Sequence, residues 1–131
     1  MIKEKYLLSA LLWLSLAGCA PVVFLAGGVA GVGAYKYYQG ALLVTYEAPY
    51  IETWDATLRA LEKMKVKIKS QKHDLTSGRI EAELADENIV TVSLEYKTAK
   101  ETDVKIRVGV FGDKQASMAI KDRIGDELFE G

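Results

Sequence analysis

The spacing of apolar residues predicts an α+β domain of two layers, an antiparallel sheet with both helices on one face. Ile51, Trp54, Leu58, Leu61 and Met64 recur three or four apart, the signature of one helical face. From Val66 to Val110 the period falls to two. At Ala116, Ile120, Ile124 and Leu128 it lengthens again to four. Helix, long alternating stretch and helix leave two amphipathic helices to cover a single sheet face.

The chain has 131 residues. Met1–Lys5 is a short basic leader. Tyr6–Leu16 is apolar, the length of a signal segment and short of the roughly 20 residues a spanning helix needs. It ends in Leu16-Ala17-Gly18-Cys19, the pattern of a bacterial lipobox. The sole cysteine supplies the thiol for a diacylglyceryl thioether. Small residues at Ala17 and Gly18 let the backbone enter a protease in the membrane, which would cut between Gly18 and Cys19. The expected segments are a signal peptide over 1–18, a lipidated tether over 19–40 and a domain over 41–131.

Ala20–Gly40 is apolar and glycine-rich, with no charge before Lys36. Gly27 and Gly31 have the spacing that lets helices approach closely in lipid. A helix through Val22–Ala34 is the expectation. Tyr35, Tyr37 and Tyr38 would follow it at the membrane–water boundary. Gly27, Gly31 and these tyrosines are the candidate membrane-association residues.

Ala41–Glu47 reads as the first strand, and Pro49 stands where a helix can begin. Four further strands follow. Val66 and Ile68 alternate with lysines, and Ile80, Ala82 and Leu84 alternate with Arg79, Glu81 and Glu83. Val90, Val92, Leu94 and Tyr96 make the third, and Val104, Ile106, Val108 and Val110 the fourth. Turn residues separate them at Asp74–Gly78, Asp86–Asn88 and Thr98–Thr102. Asp113 is a candidate N-cap for the last helix. The expected order is β-α-β-β-β-β-α. Trp54 and Leu58 should pack on the sheet face that carries Val92, Leu94, Ile106 and Val108.

The charges bound the function. Lys and Arg number 17, Asp and Glu 18, a balance that argues against nucleic acid as a partner. With its one cysteine assigned to lipid, the chain has no intramolecular disulfide. On the polar sheet face, turn centring predicts Lys69 across from Glu83, Arg79 across from Glu95 and Glu95 across from Lys105. These would be self-matched surface pairs rather than a surface for an acidic polymer. His73 is the only histidine, so no His/Cys metal set is expected. Catalytic, cofactor-binding and metal-ligating residues are all expected to be none.

On these residues the chain resembles a family of small bacterial lipoproteins of unknown function. The likeness rests on Leu16–Cys19, Gly33-Ala34-Tyr35, Gly40, Thr45-Tyr46, Trp54–Leu58, Ser77–Ile80 and Ile106–Asp113. It implies a periplasm-facing lipoprotein and carries no catalytic residues. The helix-then-meander pattern is also similar to small lipoprotein domains that serve as accessory parts of envelope machines. The expected function is a non-catalytic binding or structural role in the cell envelope. Attachment would be by diacylglyceryl and N-acyl groups on Cys19, with a second copy or an envelope protein as partner. The alternatives are a small periplasmic enzyme and a module that binds cell wall or lipopolysaccharide. In enteric bacteria an aspartate after the cysteine often holds a lipoprotein in the inner membrane. Ala20 stands there, so the outer membrane is expected.

Overall fold

The computed structural model describes residues 32–130. The signal segment, Gly18, Cys19, Gly27 and Gly31 lie outside these residues. The described elements are β1 (Val32–Tyr38), β2 (Ala41–Tyr46), α1 (Tyr50–Lys63), β3 (Lys67–His73), β4 (Ser77–Glu83), β5 (Ile89–Thr98), β6 (Glu101–Val108) and α2 (Lys114–Phe129). The strands form one sheet in the order β1-β2-β6-β5-β4-β3, every neighbour antiparallel.

The structure therefore has one strand more than expected. The domain begins at β1 rather than at Ala41, and Val32–Ala34 is strand rather than the end of a helix. Gln39 and Gly40 both take positive φ, 50° and 81°. That is the two-residue turn whose twist suits a β-hairpin. It pairs Tyr38 with Ala41, Tyr37 with Leu42 and Tyr35 with Val44. Aromatic residues favour strands, and Tyr35-Lys36-Tyr37-Tyr38 hides the usual polar alternation because three of its four residues are tyrosines.

The core lies between the sheet and both helices. Leu42, Val44, Tyr46, Ile80, Val92, Leu94, Val104, Ile106 and Val108 point into it from the strands. Trp54 and Leu61 of α1, with Ile120 and Ile124 of α2, meet them there, and Leu58 packs at the margin. The predicted contact of Trp54 and Leu58 with the Val92–Val108 face is thus present. The buried arc of α1 is rotated from the expected one. Ile51 is 49% exposed, while Thr53, Ala56, Thr57 and Ala60 are buried. Small residues on that arc bring the helix close to its neighbours. Thr53 and Thr57 satisfy their hydroxyls by donating back to the carbonyls of Pro49 and Thr53, at 2.9 and 2.7 Å.

Local signals end each helix. Asp113 caps α2 as predicted, its Oδ1 accepting from the Ala116 N–H at 3.0 Å. Helix α1 closes with paired backbone bonds, Val66 N–H to Leu61 O and Lys65 N–H to Glu62 O, both 3.0 Å. This arrangement needs a left-handed residue, usually glycine, and Lys65 occupies it at φ 61°.

Candidate functional site: the open face of the sheet

Pairing parity decides which side chains share the helix-free face. Across one row run Lys36, Leu43, Lys105, Ser93, Arg79 and Lys72, each paired with the next. Across the adjacent row run Thr45, Asp103, Glu95 and Ser77. All of these except Arg79 and Lys72 line a groove of 870 Å³ that spans β1 to β4. Its floor is made of short or apolar side chains, Leu43, Thr45 and Ser93. Its charges are Lys36, Glu95, Lys97, Asp103 and Lys105.

The register differs from the predicted one. Arg79 faces Ser93 rather than Glu95, and Glu95 faces Asp103 rather than Lys105. Each shift is two residues, which keeps every side chain on its face and so leaves alternation unchanged. A direct carboxylate pair, Asp103 opposite Glu95, replaces the expected matched charges. Like charges directly across a ladder are destabilising. Asp103 accepts from Thr45 Oγ1 at 2.7 Å. Among the described residues no ion pair within 4.0 Å involves Lys36, Glu95, Lys97, Asp103 or Lys105. One predicted pair does form. Lys69 Nζ lies 2.8 Å from Glu83 and holds that carboxyl below its ordinary range. A bulge between Ile68 and Ser70 brings them together, since the residue opposite Glu83 is Lys67.

The remaining candidates fall elsewhere. His73 lies on the helix side of the sheet with its ring 4.5 Å from that of Trp54. Beside it a hollow of 350 Å³ is lined by Lys72, Asp74, Ser77 and Arg79. Asp74 is used in the turn. Its Oδ1 accepts from the N–H groups of Thr76 and Ser77 at 2.8 and 2.9 Å, which lowers its pKa. Glu81 points to the open face and is ion-paired to Arg79 at 3.3 Å. Among the described residues no three of His, Cys, Asp or Glu come together as a metal-binding group.

The three tyrosines of the tether are divided by the strand. Tyr35 and Tyr37 share the helix side with Val44 and Leu42, and Tyr38 shares the open side with Ala41. Tyr37 packs against the core. Tyr35 lies under the Lys121 ammonium, 4.0 Å from ring centroid to Nζ. The strand thus splits the trio expected to line a membrane boundary together. Among the described residues no helix is long and apolar enough to cross a membrane.

The fold and groove define a small two-layer α+β domain whose sheet is covered on one side and open on the other. The family model described as "Protein of unknown function (DUF3568)" matches residues 4–127, and the chain belongs to that family. No curated protein matches the chain.

Proposed function

We propose that this is a lipid-anchored envelope protein whose open sheet face binds a partner without chemical conversion. Anchoring follows from Leu16–Cys19, with cleavage after Gly18, thioether lipid on Cys19 and the outer membrane as the site indicated by Ala20. The observation that carries the binding role is the groove. A face of 870 Å³ holds Asp103 directly opposite Glu95, with Lys36, Lys97 and Lys105 around them and no ion pair among the five. A ligand bearing both amino and carboxyl groups, as a peptide does, would neutralise the carboxylate pair and the surrounding lysines together. Nothing in that role calls for a nucleophile.

Photo-cross-linking in intact cells tests it. A benzophenone side chain at Lys105, in the groove wall, should give a discrete adduct. The same probe at Asp55, exposed on α1, should not. Asp103→Lys with Glu95→Lys should abolish the Lys105 adduct while the domain stays folded. Adducts that ignore both the probe's position and the charge reversal would refute the binding role. Radiolabelled palmitate on the chain, lost in Cys19→Ser, tests the anchor separately.

A further inference from the structure

The two most exposed apolar side chains on the open end of the sheet are built outward, not left over. The strand pattern of Val104–Val110 predicts that β6 continues to Val110, but it stops at Val108. Gly109 turns the chain at φ 77° and Gly112 turns it back at φ 86°. Between them Val110 is 80% exposed and Phe111 93%. The loop carrying them is fastened at several points. Arg107 donates to the carbonyls of Gln39 at 3.0 Å and Val110 at 2.7 Å, joining the loop to the β1–β2 turn. The Gly109 N–H donates to Ile89 O at 2.8 Å. A Cβ on Gly112 would collide with the Gly40 backbone and the Tyr37 hydroxyl. Tyr38 and Ile89, 60% and 43% exposed, shoulder the same end of the sheet.

We propose that this tip inserts into a lipid bilayer and seats the domain on the membrane. Size argues for lipid over protein. Phe111 and Val110 present far less surface than the ~800 Å² per partner of a standard protein interface. They suffice only when the encounter is already intramolecular, so the inference rests on the anchored reading above. Reach is adequate. Strand β1 runs parallel to β6, since both are antiparallel to β2, so the tip lies at the far end of the sheet from Val32. Seven strand residues span roughly 23 Å. The twelve residues from 20 to 31 can extend to about 40 Å, enough for the far end to return to the surface that holds Cys19. Charge does not drive the contact. Arg107, Lys36 and Lys114 toward that end are matched by Asp86, Glu87 and Asp113, so insertion should be insensitive to salt.

The test uses the full lipidated chain in vesicles of phosphatidylethanolamine and phosphatidylcholine. An environment-sensitive fluorophore is placed through Phe111→Cys or, as control, Leu75→Cys. Leu75 is 87% exposed in the β3–β4 turn, at the opposite end of the sheet. Emission at position 111 should rise several-fold, be quenched by lipid-borne quenchers and be unchanged by salt, with position 75 water-like. A chain that floats with vesicles while position 111 stays water-like overturns this inference alone. So does a position 111 that is shielded yet not quenched from lipid, which would report a protein partner. A chain that does not float overturns the anchored reading and this inference with it.

Discussion

The Trp54 indole lies directly on Gly78. A Cβ built on that glycine would stand 2.5 Å from Trp54 Cζ3 and 2.8 Å from His73 Cβ. Trp54 is 3% exposed. The first helix therefore rests on the β3–β4 hairpin at a point where the sheet carries no side chain. Gly78→Ala should cost about 1–3 kcal/mol by overpacking, and Trp54→Ala about 3–5 kcal/mol by leaving a cavity. The two costs should not add. In the Trp54→Ala background the clash with the indole is gone and only the one with His73 Cβ remains, so Gly78→Ala should cost less there than in the parent. Urea unfolding of residues 31–131 in a double-mutant cycle measures this. Additive losses would show that the two residues do not share one contact.

Strand β1 makes a prediction about where the domain can be cut. Residues 41–131 keep both helices and five strands but lose Tyr37 from the core margin and Tyr35 from under Lys121. The bare edge of β2 would be Ala41-Leu42-Leu43-Val44, apolar and without a lysine to guard it. The shorter fragment should unfold at lower urea than residues 31–131 and self-associate. Light scattering and unfolding midpoints of the two fragments decide it. Equal midpoints would mean that β1 adds nothing to the fold.

What the sequence made legible and what it hid follow from these same residues. Period and alternation located both helices, β2 to β6 and the contact of Trp54 with the sheet, because each is written as a repeating apolar position. Register was not legible. A two-residue slip at Glu95 leaves every face assignment intact, and the bulge at Lys69 has no signature in alternation. The groove was hidden for that reason, since only register puts Asp103 opposite Glu95. Its β1 wall was hidden because tyrosines stand on both faces of the strand, Tyr35 and Tyr37 on one and Tyr38 on the other, which blurs the alternation. The Gln39-Gly40 pair before Ala41 was the available signal for that hairpin.

Arg107 and the Val110 carbonyl define how firmly the exposed tip is held. Arg107→Met removes two charge-assisted donors, to Gln39 O and Val110 O. Both contacts are exposed, so global stability should fall by only about 1 kcal/mol. Local opening should rise more. Chymotrypsin should nick the variant after Phe111 faster than the parent under native conditions. An unchanged nicking rate would mean that the glycines alone set the loop.

Glu127 joins the helices to each other. Lys63 Nζ at 2.9 Å, and then Arg59 Nε at 3.3 Å, hold its carboxyl below the ordinary value of 4.5. A carboxyl depressed in the folded state gives stability that is present above pH 4.5 and lost as pH falls through the folded value. Glu127→Gln should therefore flatten the acid limb of the stability–pH curve below about pH 4.5. Asp74 and Glu83, depressed in the same direction, will keep part of that limb. Stability curves of parent and variant that run parallel through this range would sink the assignment.

Lys65 ends α1 in a conformation that suits it poorly. At φ 61° its Cβ crowds the following carbonyl, and glycine would not. The bonds that require this geometry, Val66 N–H to Leu61 O and Lys65 N–H to Glu62 O, are backbone bonds and survive substitution. Val66 and Leu61 are both buried, so the turn is also fixed by packing and cannot relax to relieve the lysine. Lys65 is exposed and makes no ion pair among the described residues, so little is lost with its side chain. Gly, however, also gains entropy in the unfolded chain, which subtracts from the benefit. The net expectation is a gain of about 0.5–1 kcal/mol for Lys65→Gly, and a smaller gain for Lys65→Asn, which tolerates the same region. Lys65→Ala keeps the Cβ and should gain nothing. Unfolding midpoints ranked Gly above Asn above Ala and lysine would confirm that backbone strain is the cause. Equal gains for Gly and Ala would instead assign it to removal of a charge beside Lys63 and Lys67.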